Sequence, residues 1–236
     1  MLTSENTAAD NEFQGKEITM TDEEILSKID HTLLSPTATM MQIRTLCIEA
    51  QEYKTASVCI PPCYVKSVHE EFPSLNICTV IGFPLGYQKL QTKLMETMQA
   101  IAEGANEIDM VINQCAVKNE DYDTVINEIQ QIKKVCGDHI LKVIIETCNL
   151  SEDEKVMLCH AVTTGGADFI KTSTGFGSAG ATKEDIKLFA ANVGSKVKIK
   201  AAGGIKSRED MEEFIKLGAS RLGTSSGVRI LKSKKK

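Results

Sequence analysis

Two lysines stand near the ends of neighbouring apolar runs in the second half of the chain. Lys171 follows Asp168-Phe-Ile, and Lys200 follows Val197-Lys-Ile. If both runs are parallel strands of one sheet, a spacing of about 4.8 Å between strands brings the two amines within several ångströms of each other. A second ammonium about 5 Å away lowers the pKa of an amine by roughly 2, and partial burial lowers it further. One lysine is then predicted to be an uncharged nucleophile that forms a Schiff base with a carbonyl.

The acidic residues near the ends of other runs leave a second interpretation of the lysines open. A lysine can extend to the rim of the fold, or it can pair with Asp109 or Glu146. Asp109 lies in the otherwise apolar run 106–112, where it could relay a proton through a water or form a buried ion pair with Lys142. These two roles are compatible. Asp30 and Glu146 are further candidates, with structural hydrogen bonding as the alternative.

Two glycine-rich stretches are candidates for a phosphate site. Ala201-Ala-Gly-Gly-Ile205 and Gly223-Thr-Ser-Ser-Gly227 each follow an apolar run. Glycines allow the backbone to approach an anion, and Ser225 and Ser226 can add hydroxyl donors. The alternative is that both stretches are tight turns next to a helix.

The elements that must position these residues alternate regularly from Asp22 onward. Short apolar runs rich in Val and Ile are separated by longer segments with helical periodicity, a pattern typical of parallel strands joined by helices. We predict a closed (β/α)8 barrel, the TIM barrel, with an open doubly wound sheet as the alternative. The eight predicted strands are 28–34, 56–60, 76–82, 106–112, 141–147, 167–173, 197–201 and 220–224.

Helix starts are predicted from capping residues. Ser151, Thr182 and Ser207 each precede acidic residues that suit the first turn of a helix. The segment Gly175–Gly180 also matches the G-x-G-x-x-G pattern of a dinucleotide-binding turn. That turn belongs to the first βα unit and needs an acidic residue about 20 positions later, whereas here it follows the sixth predicted strand and the later region is basic. We interpret the match as coincidental.

Composition limits the classes of function. The 236 residues carry a net charge of −5 with dispersed basic residues, which argues against a nucleic-acid partner. We expect no membrane segment, because no apolar run approaches the roughly 18 to 20 residues that span a bilayer. Eight cysteines without C-x-x-C spacing and without a secretory leader predict a cytoplasmic protein with reduced thiols. We expect a flexible extension over residues 1–20 and a single barrel domain over 21–236.

Eight motifs follow one another from about Ile29 to about Leu231. They are IDHTLL, VCIPPCYV, TVIGFPLG, EIDMVIN, LKVIIET, ADFIKTSTGF, VKIKAAGGI and GASRLGTSSG. This series resembles the deoxyribose-phosphate aldolase family, class I aldolases of the (β/α)8 fold. The resemblance implies reversible cleavage of 2-deoxy-D-ribose 5-phosphate to D-glyceraldehyde 3-phosphate and acetaldehyde, with no metal or organic cofactor.

Matched positions in these motifs imply roles for individual residues. Lys171 would form the Schiff base, Lys200 would lower the pKa of Lys171, and Asp109 would relay the proton, with Asp30 and Lys142 in support. Cys59 falls near the substrate pocket, where packing of a small thiol is the alternative. The residues that fall where family members bind phosphate are Thr174, Gly175, Gly203, Gly204, Gly223, Ser225 and Ser226.

The sequence departs from the family pattern at two places. Phe176 stands where some members carry a lysine, so a direct charge on the phosphate is absent there. The chain ends in lysines where some members end in a tyrosine that reaches into the site.

Several other functions fit parts of the pattern. These are a sugar-phosphate isomerase, another Schiff-base aldolase, a metal-dependent barrel aldolase and a barrel that binds phosphate without catalysis. Only four histidines occur, without H-x-H spacing, so no metal site is predicted. The expected ligand is a small phosphorylated sugar, and a homo-oligomer, dimer or tetramer, is expected as well.

Overall fold

A computed structural model describes residues 20–232 of the chain. Of the predicted extension over residues 1–20, all but Met20 lies outside the described residues, as do the last four residues of the chain. No helix within the described range has both the length and the apolar character needed to cross a bilayer.

Eight parallel strands form a closed barrel in which each strand pairs with the next and the last pairs with the first. The predicted TIM barrel is confirmed, and every predicted strand is present. The alternative of an open sheet is wrong, because the eighth strand hydrogen-bonds to the first and leaves no free edge. The strands are β1 Ile29–Thr32, β2 Ser57–Ile60, β3 Ile77–Ile81, β4 Glu107–Val111, β5 Ile140–Ile144, β6 Phe169–Lys171, β7 Lys198–Ala202 and β8 Ala219–Thr224.

Helices surround the barrel and connect the strands. Ser151, Thr182 and Ser207 cap three of them, as predicted, and each accepts a hydrogen bond from the amide three residues later. Two short 3-10 helices, Pro62–Tyr64 and Thr147–Asn149, follow β2 and β5. The α-helices are α1 Asp22–Leu26, α2 Met40–Tyr53, α3 Val65–Glu71, α4 Leu90–Ala102, α5 Gln114–Lys118, α6 Tyr122–Cys136, α7 Glu152–Gly165, α8 Lys183–Asn192, α9 Arg208–Lys216 and α10 Gly227–Lys232.

The apolar core lies between the barrel wall and the helices. Ile108 and Met110 of β4 belong to the same buried cluster as Ile129 and Ile132 of α6. Since successive side chains of a strand point to opposite faces, the residues between them, such as Asp109, point into the barrel. The hydrophobic driving force of folding therefore acts mainly outside the barrel, and its interior is available for polar groups.

A buried ion pair joins α4 to α6 near the carboxyl ends of β3 and β4. The Lys93 amine lies 2.6 Å from Glu128 Oε1 and donates to the Val111 carbonyl at 2.7 Å. Glu128 in turn accepts from the Asn113 amide at 3.0 Å. A side chain at Gly82, whose φ is 59°, would place its Cβ 2.7 Å from Lys93 Cε, so glycine is required there.

His31 of β1 faces outward, where its Nε2 lies 2.8 Å from Glu49 of α2. Its Nδ1 is buried and has no hydrogen-bond partner within residues 20–232. Burial lowers the pKa of His31 below its ordinary value of 6.5, although the hydrogen bond and the charge of Glu49 oppose that change. The folded protein therefore holds this imidazole uncharged at a pH where the unfolded chain already protonates it.

We expect His31 to make the folded state less stable in mild acid. Its contribution is fully present above about pH 6.5, the pKa in the unfolded chain, and is lost as the pH falls toward the lower folded pKa. His31→Gln should therefore flatten the fall in the free energy of unfolding between about pH 7.5 and about pH 5.5, measured by urea denaturation. His160→Gln, at an exposed position of α7, is the control and should leave the slope unchanged. Equal slopes for both variants would contradict this account.

Candidate active site

The interior of the barrel holds a network of ionised side chains. TIM barrels usually fill this space with branched apolar residues, so the charges need a separate reason. Six of the side chains are buried and Arg221 is half-buried. The network consists of Asp30, Glu107, Asp109, Lys142, Lys171, Lys200 and Arg221.

Asp109 is the centre of this network. Its Oδ2 accepts hydrogen bonds from the amines of Lys171 and Lys200, each at 2.7 Å. Its Oδ1 accepts from Lys142 at 2.8 Å. Both amines on Oδ2 therefore lie within twice that bond length of each other, as the pairing of neighbouring strands predicts. The buried ion pair suggested for Asp109 and Lys142 is also present.

The deeper part of the network uses two further carboxylates. Lys142 lies 2.5 Å from Glu107 Oε2 and 3.6 Å from Asp30. Arg221 contacts Asp30 Oδ1 at 2.5 Å and Glu107 Oε2 at 3.1 Å. The amine of Lys200 contacts Asp30 as well as Asp109.

The neighbouring charges fix the ionisation of most of these groups. Burial opposes ionisation of Asp109, but the charges of Lys142, Lys171 and Lys200 outweigh it and hold the pKa of Asp109 well below its usual range. Burial likewise opposes the charge on Lys142 and Lys200, yet Asp109 and the other carboxylates raise the pKa of both lysines above the ordinary value. Lys142 and Lys200 are therefore cationic at neutral pH.

The count of charges singles out Lys171. Three carboxylates balance three cations, which are Lys142, Lys200 and Arg221, and Lys171 is a fourth base that shares its only carboxylate contact with two other lysines. With Lys171 included, the network holds four basic side chains and three carboxylates. Simple repulsion between two lysines is thus an incomplete description, since Asp30 and Asp109 already neutralise Lys200.

A cavity of about 400 Å³ opens above Lys171. Its walls come from the loops that follow β1, β6, β7 and β8, at the carboxyl end of the barrel. Every residue implied to bind phosphate lines this cavity, namely Thr174, Gly175, Gly203, Gly204, Gly223, Ser225 and Ser226. The structure therefore brings the candidate nucleophile and the candidate phosphate loops to one space.

Glycines shape the wall opposite β6. Gly203 and Gly204 have φ values of 77° and 75°, in the left-handed region that favours glycine. A Cβ at Gly223 would lie 3.1 Å from Lys200 Cε, so a larger residue would press on the lysine. Gly203 and Gly204 are therefore needed for their left-handed backbone, and Gly223 is needed for the space beside Lys200.

Thr174 directs both its amide and its hydroxyl toward Glu146. Its amide donates to Glu146 Oε1 at 3.2 Å and its hydroxyl donates to Glu146 Oε2. Glu146 is thus separate from the lysine network. Its hydrogen bonds to Thr174 match the structural role that the sequence analysis gave as the alternative for this residue. Binding of phosphate through Thr174 stays a prediction.

Cys59 lies next to the lysine network rather than on the cavity wall. It pairs in register with Cys78 of β3, and both are fully buried. A hydrogen bond with Cys78 is the main cause of a lowered pKa at Cys59, and the charge of Lys200 adds to it. Cys78 Sγ lies 3.1 Å from Asp109 Oδ1 and 3.2 Å from the Lys142 amine.

Two groups of side chains have atoms close enough to share a metal ion. Cys59, Cys78 and Asp109 form one, and Asp30, Cys78 and Glu107 form the other. Every carboxylate in these groups already contacts a lysine or arginine. The donor sets therefore fit the ionic network better than they fit a metal centre.

Sequence reasoning missed Glu107, Arg221 and Cys78 as parts of the site. The signal that could have found them is the period of two along a strand. Glu107 precedes Asp109 by two residues and Arg221 precedes Gly223 by two, so each points to the same interior as its neighbour. At the rim, half-exposed Phe176 packs edge-on against Phe83, with ring centroids 5.4 Å apart.

Comparison with known proteins gives a consistent family assignment. A family model described as DeoC/LacD family aldolase matches residues 21–233. A deoxyribose-phosphate aldolase of Clostridium botulinum is 58% identical over 214 residues, which is 90% of this chain and 97% of that protein. That of Clostridioides difficile is 58% identical over 210 residues, 89% of this chain and 96% of that protein. A tetrameric deoxyribose phosphate aldolase structure from Aeropyrum pernix has a TM-score of 0.84 at 32% identity, covering 91% of this chain and 92% of that one.

Proposed function

The chain belongs to the DeoC/LacD family of aldolases, and we propose that it is a class I aldolase. Its reaction is the reversible cleavage of 2-deoxy-D-ribose 5-phosphate to D-glyceraldehyde 3-phosphate and acetaldehyde. The observation that carries this proposal is the amine of Lys171, which faces the cavity and is the one base of the interior network without a carboxylate of its own. An amine at the foot of a ligand cavity can attack the carbonyl of a bound substrate, which is the first step of Schiff-base chemistry.

The reaction begins when Lys171 attacks C1 of the open-chain sugar phosphate. Loss of water gives an iminium, whose positive charge lies beside Asp109 Oδ2, 2.7 Å from the nitrogen in the free protein. The C3 hydroxyl then loses its proton to a water oriented by Asp109, C3 becomes the aldehyde carbon of the leaving fragment, the C2–C3 bond breaks, and its electrons neutralise the iminium as an enamine. Glyceraldehyde 3-phosphate leaves, and protonation and hydrolysis of the enamine release acetaldehyde.

The loops after β6, β7 and β8 hold the phosphate in this proposal. Gly203 and Gly204 present backbone at the cavity wall, and Ser225 and Ser226 line it from the next loop. The cavity of about 400 Å³ suits a small sugar phosphate. Binding the phosphate far from the reacting bond supplies energy that orients C1 toward Lys171.

The proposal is tested by incubating the purified full chain with 2-deoxyribose 5-phosphate. We expect glyceraldehyde 3-phosphate and acetaldehyde in equal amounts, unaffected by a chelator, and a stable adduct on Lys171 when borohydride is added with acetaldehyde. Isomerisation without acetaldehyde would favour a sugar-phosphate isomerase. Loss of activity on chelation would favour a metal-dependent aldolase, and binding without turnover would favour a non-catalytic barrel.

A homo-oligomer is also part of the proposal. Its support is the tetrameric relative from Aeropyrum pernix, together with exposed apolar side chains on two outer helices, Met41 and Ile48 of α2 and Met95 and Met98 of α4. Sedimentation is expected to give a multiple of the mass of one chain. Joint replacement of Met95 and Met98 by glutamate should lower that mass if α4 contributes, with Met157→Glu of α7 as control. A monomeric protein would contradict this prediction.

We further propose a cytoplasmic location and no nucleic-acid partner. All eight cysteines are free thiols, and Cys59 and Cys78 remain unpaired although they are neighbours in register. The support against a nucleic-acid partner is the net charge of −5 with basic residues dispersed along the sequence.

A further inference from the structure

Glu146 occupies an unusual position at the carboxyl end of β5. Its φ is 57°, in the left-handed region that residues with a side chain rarely adopt, and only 3% of it is exposed. A buried carboxylate on a left-handed backbone is costly, so the surrounding structure must hold it there. The hydrogen bonds that its carboxylate accepts from Thr174 offset this cost.

Both oxygens of Glu146 are used by Thr174. Oε1 accepts from the Thr174 amide at 3.2 Å and Oε2 accepts from the Thr174 hydroxyl. The same hydroxyl oxygen accepts from the Phe176 amide at 3.0 Å. The carboxylate thus orders the backbone of two residues in the loop that follows β6.

Gly177 packs closely against the same carboxylate. A Cβ at Gly177 would lie 3.1 Å from Glu146 Cδ and 2.8 Å from Cys148 Sγ. We call residues 174–177 the Thr174 loop. Glu146 contacts this loop at its beginning and approaches it at its end, while Gly175, between these points, lines the cavity with a φ of 87°.

Lys171, at the end of β6, and the Thr174 loop that follows this strand are held by different carboxylates. Lys171 bonds to Asp109 inside the barrel, whereas the Thr174 loop bonds to Glu146 outside the lysine network. Removing the Glu146 carboxylate would release the loop without removing any member of the network. The loop faces the part of the cavity that Gly203 and Gly204 share, which is the proposed phosphate site.

We propose that Glu146 is a positioning residue that fixes the Thr174 loop for the phosphate group. It thereby sets the preference of the enzyme for 2-deoxyribose 5-phosphate over unphosphorylated 2-deoxyribose. This inference rests on the proposed function, since it names what one wall of the same cavity recognises.

Glu146→Gln is the first test. Glutamine keeps one acceptor oxygen for the Thr174 amide, but the Thr174 hydroxyl loses the charged oxygen to which it donates and can only accept from the glutamine amide. We expect KM for 2-deoxyribose 5-phosphate to rise about tenfold or more, while kcat/KM for 2-deoxyribose changes less than about twofold. Borohydride trapping of acetaldehyde on Lys171 should proceed as in the unmodified protein, because acetaldehyde has no phosphate.

Two further variants show whether the effect passes through Thr174. Thr174→Val removes the hydroxyl, and the double variant should lose no more discrimination than Glu146→Gln alone, because both changes break one unit. If Glu146→Gln does not fold, Glu146→Gly removes the carboxylate while accommodating the left-handed backbone, and the same loss of discrimination is expected.

Glu128→Gln is the matched control. Glu128 is also a buried glutamate that accepts from a backbone amide, but it lies near the ends of β3 and β4. Its replacement is expected to lower thermal stability and leave the ratio of kcat/KM for the two sugars unchanged. Equal losses on both sugars in Glu146→Gln, or no loss on either, would overturn the proposal.

Binding of inorganic phosphate tests the role of Glu146 independently of aldolase activity. Calorimetry is expected to show about tenfold weaker phosphate binding in Glu146→Gln, whether or not the protein cleaves a sugar. Failure of the unmodified protein to release acetaldehyde concerns the aldolase proposal alone. Undiminished phosphate affinity in the variant concerns the role of Glu146 alone, and contradicts it.

Discussion

Replacing Lys171 with alanine is expected to abolish aldol cleavage, lowering kcat by at least about 10⁴-fold, because no other lysine within residues 20–232 lines the cavity. Trapping of acetaldehyde by borohydride should disappear in the same variant. The fold should persist, since the three remaining cations, Lys142, Lys200 and Arg221, still balance the three carboxylates. The measurements are the release of acetaldehyde, the mass of the reduced adduct and the midpoint of thermal unfolding.

The control for this experiment is another lysine of the same part of the chain. Lys183→Ala removes an amine that pairs with Glu213 on the surface, outside the network. It should keep full activity and full trapping. An ethyl group found by peptide mapping on any lysine other than Lys171 in the unmodified protein would refute the assignment of the nucleophile.

Replacing Lys200 with leucine is expected to cost activity by a different route. The change removes one cation and leaves Asp30 and Asp109 with excess negative charge inside the barrel. Lys171 is then the one described amine left on Asp109 Oδ2, so the carboxylate holds it more tightly and it attacks the substrate less readily. We expect kcat/KM near neutral pH to fall by about 10² to 10³-fold.

A variant that keeps the charge distinguishes this explanation from simple loss of packing. Lys200→Arg retains a cation beside Asp30 and Asp109, so it should keep more activity than Lys200→Leu although it also changes the packing. Lys198→Leu, the same change at an exposed position of β7, should leave activity unchanged. Equal losses in Lys200→Arg and Lys200→Leu would contradict the charge-balance explanation.

Much of the architecture follows from local features of the sequence. Each predicted strand was a short apolar run, and the capping residues Ser151, Thr182 and Ser207 marked helix starts that the structure contains. Local hydrogen bonds and side-chain periodicity determine such elements, so a single sequence carries the information. The closeness of Lys171 and Lys200 followed as well, because consecutive strands of a barrel pair with each other.

Closure of the barrel decided what the sequence by itself did not. Arg221 reaches Asp30, far away along the chain, only because β8 pairs with β1, and Glu107 meets both Lys142 and Arg221 across the interior. Electrostatic energy in a buried site sums over all charges, so two lysines considered alone suggested repulsion, whereas Asp30 and Asp109 offset the charge of Lys200 in the full network. The left-handed backbone of Glu146 was equally hidden, since tertiary contacts rather than residue type hold a glutamate there. Local sequence thus determined which elements form and which lysines meet, while the closed barrel determined which distant charges surround those lysines, because buried charges act on one another across the whole interior.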